Sequence, residues 1–255
     1  SFTMKLWWKG QICMTEKLSS ELSQRFLDLE ENYKRIRAEL EEAAIASGRS
    51  PDEVTLLAAT KTVPVEVVNH GIALGIRHIG ENRVQELCEK YDRYAPVDLQ
   101  FIGHLQTNKV RQIIEKVSMI QSVGSGRLAQ EISRQAEKAG RVMDILIEVN
   151  IGREENKSGV LPEALPELVS EAASLPGVRV RGLMAIPPAG AEKADTIRFF
   201  SRMTQYFIDM KNKRSDNVTM DYLSMGMSAD FADAVRAGAN LVRVGSALFG
   251  PRVYR

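Results

Sequence analysis

An alternation of short apolar segments with longer helical segments is the feature of this sequence that most restricts its fold. From Thr55 onwards, eight apolar or β-branched runs are each followed by a segment whose apolar residues recur at helical spacing. The predicted strands cover residues 55–59, 77–80, 99–102, 119–122, 144–150, 179–184, 222–224 and 241–244. Because strand–helix–strand units form parallel sheets with right-handed crossovers, we predict an α/β fold, a single (β/α)8 TIM barrel.

A doubly wound open sheet is the alternative fold for the same alternation. Its dinucleotide-binding form carries G-x-G-x-x-G after the first strand, whereas residues 59–64 here read ATKTVP. Ahead of the first strand, residues 15–47 carry Leu22, Phe26 and Leu29 at helical spacing, which predicts an extra N-terminal helix. We assign residues 15–255 to one barrel domain and residues 1–14 to a disordered or artificially added leader.

Charge and cysteine content exclude several classes of function. A formal net charge of +1 provides no broad field for nucleic acid or an anionic membrane, and no apolar run approaches the roughly 20 residues of a membrane span. The two cysteines form no C-x-x-C, and the three histidines lack metal-ligand spacing. We therefore expect a cytoplasmic monomer that binds no metal, nucleic acid or membrane.

Polar and small residues follow several of the predicted strands. In a TIM barrel the loops after the strands meet on one face, and closure of the barrel makes the eighth strand the neighbour of the first. Lys61, after the first strand, is therefore expected beside Arg243 of the eighth. A solvated lysine is the more ordinary interpretation of Lys61 alone, but the convergence of the loops favours a binding site.

The loops after strands seven and eight have the composition of a phosphate site. Their sequences, SMGMSADF and VGSALFG, contribute Ser224, Gly226, Ser228, Gly245 and Ser246. Small residues let backbone N–H groups approach a phosphate. A lysine beside such a site suggests a Schiff base with an aldehyde cofactor, and pyridoxal 5'-phosphate (PLP) matches. A guanidinium has donors only, so Arg243 facing the pyridine nitrogen would keep that nitrogen unprotonated.

Seven motifs in order carry a resemblance to a known family. They are ATKTVP, HIGENRVQE, FIGHLQTNK, EVNIGREENKSG, RGLMAIPP, LSMGMSADF and RVGSALFG, and the resemblance runs from about Leu18 to Gly250. The chain resembles the pyridoxal phosphate homeostasis protein family, also called the YggS/PROSC family. This implies a TIM barrel similar to the N-terminal domain of alanine racemase, with a role in intracellular homeostasis of PLP (vitamin B6) and amino acids and no established catalysis.

The resemblance also implies roles for individual residues. Lys61 holds PLP as a Schiff base, Arg243 faces the pyridine nitrogen and Asn82 lines the ring pocket. Ser224, Gly245 and Ser246 hold the phosphate, and we assign Met184 and Gly226 to the same pocket. Apo PLP-dependent enzymes are candidate recipients of the cofactor. Some relatives have a second lysine where this chain has Val63, which leaves Lys157 as a candidate for that amine.

Three functions remain open at this point: a PLP carrier, a PLP-dependent amino-acid racemase, and a Schiff-base aldolase in which Lys61 attacks a substrate ketone. Racemisation needs two bases on opposite faces of the substrate. In alanine racemase the second base is a tyrosine of an additional domain, and we expect no such domain in a chain that stops at Arg255. We favour the carrier and assign no catalytic residue.

Overall fold

A closed barrel of eight parallel strands forms the centre of the molecule. The computed structural model describes the backbone of residues 2–252, and the side chains of residue 14 and residues 16–252. The strands are β1 (Thr55–Ala59), β2 (His78–Glu81), β3 (Asp98–Phe101), β4 (Met119–Val123), β5 (Met143–Val149), β6 (Val178–Ala185), β7 (Val218–Ser224) and β8 (Leu241–Val244). Because β1 pairs with both β2 and β8, the predicted TIM barrel is confirmed and the open sheet is excluded.

Helices surround the barrel, and all of those described except the first and the last connect successive strands. They are α1 (Phe2–Ala46), α2 (Val65–Leu74), α3 (Val84–Lys90), α4 (Val110–Ile113), α5 (Gly126–Lys138), α6 (Leu165–Ala173), α7 (Lys193–Lys213), α8 (Phe231–Ala237) and α9 (Ser246–Phe249). Short 3-10 turns occupy Pro51–Glu53, Tyr91–Arg93, Thr107–Lys109 and Pro162–Ala164. Within the described residues, no helix combines the length and apolarity needed to span a bilayer.

Helix α1 packs across the outside of the barrel, against α8 and α9. Leu29, Ile36 and Ala43 of its inner face are buried. Asn32 donates a hydrogen bond to the Leu248 carbonyl of α9 over 3.0 Å. The predicted N-terminal helix is thus present, and it extends back to Phe2. The assignment of residues 1–14 to a leader stays a prediction, because the side chains of residues 1–13 lie outside the described part.

The interior of the barrel holds an apolar cluster and a separate set of buried polar side chains. The apolar cluster comprises Leu57, Ile102, Met119, Leu146, Met184 and Leu241. The buried polar residues that face each other across the interior are Gln100, Gln121, Ser224 and Arg243. The interior of such a barrel is ordinarily filled with apolar side chains. The buried polar groups therefore indicate a function near the carboxyl ends of β7 and β8, where Ser224 and Arg243 lie.

Candidate functional site

The carboxyl ends of the strands open into a cavity of about 720 Å³. Its walls include six residues predicted for the site, which are Asn82, Gly226, Ser228, Arg243, Gly245 and Ser246. The loop after β6, from Ile186 to Ala191, forms a further, more apolar wall. Loops that follow β2, β6, β7 and β8 therefore meet at one cavity, as the geometry of a TIM barrel requires.

Lys61 lies at the edge of this cavity, in the turn that follows β1. It lines an adjoining cavity of about 30 Å³, whose walls share Gly245 and Ser246 with the larger one. The parallel pairing of β1 with β8 accounts for this proximity, since it places the two strand ends side by side. The structure thus brings Lys61 next to Gly245 and Ser246 of the loop after β8. Arg243 lines the larger cavity only, so the expected contact between Lys61 and Arg243 stays a prediction.

Arg243 on β8 is the most buried charged group of the cavity wall, with 3% of its surface exposed. Its Nη1 donates to Ser224 Oγ over 2.5 Å and its Nη2 donates to the Ala185 carbonyl over 3.1 Å. Burial lowers the pKa of Arg243 to about 10, although the charges of Glu148 and Asp230 act in the opposite direction. The guanidinium therefore stays protonated at neutral pH and is held by two acceptors.

A chain of hydrogen bonds continues from Arg243 through the interior of the barrel. Ser224 Oγ donates to Gln121 Oε1 over 2.6 Å, and Gln121 Nε2 donates to Gln100 Oε1 over 2.7 Å. Gln100 Nε2 then donates to Asp98 Oδ2 over 2.8 Å. Every donor in this chain points the same way, from the guanidinium to a carboxylate. Such directional chains strengthen one another and hold each member in one orientation.

Two residues predicted for the PLP pocket line neither cavity. Ser224 is fully buried, with its hydroxyl engaged between Arg243 and Gln121. Met184 is fully buried in the apolar cluster of the barrel interior. Both side chains point into the barrel, because successive residues of a strand alternate between its two faces. Lys157, the candidate second amine, is exposed and stands outside both cavity walls.

Backbone N–H groups converge where the loops after β7 and β8 meet. Ser228 Oγ accepts hydrogen bonds from the N–H groups of Gly245, over 3.3 Å, and Ala247, over 3.0 Å. Gly226 has φ +97°, and a Cβ there would lie 2.6 Å from Cβ of Ala234. Only glycine fits at that position, so the loop can approach α8 closely. The amides of Gly245 and Ala247 thus converge on one oxygen acceptor, an arrangement that also suits an oxygen of an anion.

Two acidic side chains near Arg243 were not found from the sequence. Glu148 on β5 accepts from Ser158 Oγ over 3.2 Å, and burial raises its pKa against the opposing effects of that bond and of Arg243. Asp230 accepts from Met227 N–H over 2.8 Å, and burial raises its pKa too. Glu148 could have been found from the sequence, because it lies inside the apolar run DILIEV and a charge within a buried strand needs a partner.

This barrel and the arrangement at its mouth define a class of proteins. A family model described as "Alanine racemase, N-terminal domain" matches residues 28–253, which is most of the chain. The class is therefore that of alanine racemase-type barrels.

Comparison with individual proteins narrows the class to one family. The pyridoxal phosphate homeostasis protein of Aquifex aeolicus is 43% identical over 226 residues, covering 88% of this chain and 98% of that protein. The chain belongs to the pyridoxal phosphate homeostasis protein family. The resemblance that the seven motifs carried is thereby confirmed.

Solved structures agree with this assignment. An unknown protein from Bifidobacterium adolescentis superposes with a TM-score of 0.84 at 31% identity, over 89% of this chain and 96% of that one. PipY of Synechococcus elongatus with PLP bound gives a TM-score of 0.71 at 33% identity, over 83% of this chain and 100% of that one. Both share the barrel architecture over nearly their whole length.

Proposed function

We propose that this protein binds PLP covalently through Lys61 and acts as a carrier in the homeostasis of PLP, without turning over a substrate. The observation that carries the proposal is the placement of Lys61 beside a cavity that contains a buried arginine and converging backbone amides. Membership of the pyridoxal phosphate homeostasis protein family and the PLP bound to PipY support the choice of cofactor.

The residues of the cavity fit PLP in size and in chemistry. A volume of about 720 Å³ suits a small-molecule ligand. The amides of Gly245 and Ala247, together with Ser228 and Ser246, would hold the phosphate, whose oxygens accept hydrogen bonds from such groups. Gly226 keeps the wall thin, because a side chain there would collide with α8. Asn82 lines the same cavity and is available to the ring.

Lys61 and Arg243 divide the chemistry between them. When bound, the cofactor supplies an aldehyde carbon to which an uncharged amine can bond, with the carbonyl oxygen leaving as water. Lys61 supplies that amine. Arg243 has donors and no acceptor and stays charged, so it can donate a hydrogen bond to a ring nitrogen and cannot accept a proton from it. This environment disfavours strong withdrawal of electrons, which suits retention of a cofactor better than carbanion chemistry.

An amino-acid racemase is the alternative function, since the family model is that of an alanine racemase domain. Racemisation requires a second base, which in alanine racemase is a tyrosine. Among the described residues, no tyrosine lines either cavity. We therefore favour the carrier, with apo PLP-dependent enzymes as the recipients that would give its binding a purpose.

The first test compares the purified protein with Lys61→Ala after addition of PLP. We expect a visible absorbance band from lysine-bound PLP and, after borohydride reduction and peptide mapping, a label on Lys61. Lys61→Ala should lose both, whereas the exposed lysine variant Lys157→Ala should keep them. A wild-type protein without the band, or a label on another lysine, would contradict the proposal. Amino-acid racemisation faster than about 1 s⁻¹ would contradict the carrier function.

A further inference from the structure

A cluster of polar side chains lies behind the turn that carries Lys61. We call it the tether cluster, and it consists of Thr60, Glu81, Glu86, Lys90 and Tyr94. Glu81, at the end of β2, is completely buried, and the side chains of Lys90 and Glu86 on α3 are only 12% and 16% exposed. None of these residues lines the main cavity or the cavity of Lys61. Their burial calls for an explanation, since lysine and glutamate are seldom buried without a purpose.

An ion pair of this cluster binds the backbone on both sides of Lys61. Lys90 Nζ donates to the Thr60 carbonyl over 3.1 Å. Glu86 Oε2 accepts from the Thr62 N–H over 2.8 Å. Lys90 Nζ and Glu86 Oε2 are themselves 2.5 Å apart. The residue before Lys61 and the residue after it are thus hydrogen-bonded to one ion pair, formed by Glu86 and Lys90 on successive turns of α3.

The turn held in this way is strained. Thr62 has φ +63°, in the left-handed region that a β-branched residue seldom occupies. Its neighbour Val63 closes the turn by donating its N–H to the Thr60 carbonyl over 3.0 Å. A conformation of this kind persists only where the surroundings compensate for its cost, and such conformations concentrate at functional sites.

The ammonium of Lys90 is fully engaged by its surroundings. It has three N–H donors, and three acceptors meet it: the Thr60 carbonyl, Glu86 Oε2, and Glu81 Oε1 at 3.4 Å. Glu81 Oε1 also accepts from Thr60 Oγ1 over 2.7 Å and from the hydroxyl of Tyr94. Its second oxygen, Oε2, is buried without a hydrogen-bond partner. Lys90 therefore offsets a buried carboxylate while it fixes the turn.

We infer that Lys90 and Glu86 are positioning residues, which hold the strained turn so that Lys61 presents its amine to the cavity. The inference rests on the proposed function of Lys61. It deepens that function, because it assigns the presentation of the amine to a second lysine that does not touch the cavity. On a relaxed turn, the side chain of Lys61 would sample many directions. It would spend less time in the one that allows reaction, so the rate of covalent attachment would be lower.

The test combines variants of the ion pair with matched controls on the same part of the surface. Glu86→Ala removes the acceptor of the Thr62 N–H, and Lys90→Met removes the cation while it keeps the length of the side chain. Glu86→Gln, which retains an acceptor, is the conservative variant. Glu89→Ala on α3 and Lys116→Met, whose ammonium lies over the Tyr91 ring, are the controls.

Two readouts are measured on folded protein, as verified by thermal melting. Hydrogen exchange of the Thr62 amide, without cofactor, should be about tenfold or more faster in Glu86→Ala and Lys90→Met, since each loses a hydrogen bond to a charged group. The rate of PLP attachment to Lys61 should fall by about tenfold in both variants. Glu86→Gln should retain most of the wild-type attachment rate, and the two controls should match the wild type.

The outcomes separate this inference from the proposed function. Unchanged Thr62 exchange in Glu86→Ala, or faster exchange with an unchanged attachment rate, overturns the positioning role. If Lys90→Met does not fold because Glu81 is left unpaired, Glu86→Ala decides the question alone. A wild-type protein that forms no linkage at Lys61 refutes the proposed function and with it the positioning role, while Thr62 exchange still reports whether the ion pair holds the turn.

Discussion

Arg243 shows how a single residue limits what the site can do. It is almost completely buried, and its two hydrogen-bond acceptors leave the guanidinium little freedom. Burial lowers its pKa only to about 10, so the charge persists at any physiological pH. A permanent cation in the cavity wall accepts no proton, and the electronic character of a bound ring would depend on it.

Replacement of Arg243 by glutamate should change that character. Arg243→Glu places a carboxylate where a ring nitrogen could then hold a proton, so we expect the absorbance maximum of lysine-bound PLP to shift. The measurement is a visible spectrum of the PLP-loaded variant beside the wild type. Arg202→Glu, on the exposed surface of α7, is the control and should leave the spectrum unchanged. An identical spectrum for Arg243→Glu would show that the arginine does not face the ring.

Glu148 should give the stability of the protein a specific dependence on pH. Burial raises its pKa above the ordinary value of 4.5, so the folded state favours the protonated acid. This contribution is present at low pH and is lost as the pH rises through the raised pKa. Glu148→Gln removes the titration while it keeps an acceptor for Ser158.

The Tm of Glu148→Gln, relative to the wild type, should therefore increase between pH 4 and pH 7. Thermal melting of both proteins across this range measures the difference. Glu155→Gln, an exposed acid of the neighbouring loop, should show no such trend. A difference that stays constant with pH would mean that Glu148 titrates alike in the folded and unfolded states.

At the scale of elements, a hydrogen-bond chain that passes through four strands supports Arg243. The hydrogen-bond chain runs from β8 through Ser224 of β7 and Gln121 of β4 to Gln100 and Asp98 of β3. Its members come from distant parts of the sequence and meet only because the barrel closes. A break in the middle of the chain leaves buried groups unsatisfied on both sides, which is costly.

Gln121→Met breaks this chain and preserves the approximate volume of the side chain. We expect the affinity for PLP to fall by about tenfold, because Arg243 loses the support of an oriented Ser224. Titration with PLP, followed by absorbance, measures the change. Ser122→Ala on the same strand removes a buried hydroxyl that makes no hydrogen bond, so it should bind like the wild type. Equal affinity in Gln121→Met would show that the chain is not needed to orient Arg243.

The strands could be predicted from their apolar runs, but some boundaries could not. We placed the start of β7 at residue 222, whereas the strand begins at Val218. The difference arises because Asp221 interrupts the apolar pattern, and its partner Arg181 lies on β6, 2.7 Å away. The sequence of β7 alone does not show that Asp221 is paired with a residue of the neighbouring strand, so its charge makes the segment look like a loop.

The site was predictable to the extent that strand order determines it. Lys61 lies beside Gly245 and Ser246 because closure joins the first and last strands, and that follows from counting eight units. The depth of a side chain along the barrel axis does not follow from the count. For this reason Ser224 was assigned to the phosphate, while the structure places it under Arg243. Glu86 and Lys90 escaped notice because they lie on a helix, away from the strand ends.

At the scale of the whole molecule, α1 secures the seam where the barrel closes. Its buried face covers α8 and α9, and Arg49, just beyond its end, donates to the carbonyls of Val235 and Ala239 over 2.5 and 2.9 Å. The loop with Gly245 and Ser246 is therefore supported from behind by the first helix of the chain.

The buried face of α1 should contribute measurably to stability. Ile36, only 1% exposed, should lower the free energy of unfolding by about 2–5 kcal/mol when it is replaced by alanine. Leu27, on the same helix and 56% exposed, should change it by less than about 0.5 kcal/mol in Leu27→Ala. Equilibrium denaturation with urea measures both values. A small effect in Ile36→Ala would mean that α1 rests on the barrel without stabilising it.

The hydroxyl of Ser228 has a further consequence for the proposed uptake and release of PLP. Its oxygen already accepts from the amides of Gly245 and Ala247. When a phosphate departs, these donors are not left without a partner, so unloading incurs no penalty of unsatisfied hydrogen bonds. In the proposed carrier, Ser228 would thus keep the empty phosphate site as fully hydrogen-bonded as the occupied one.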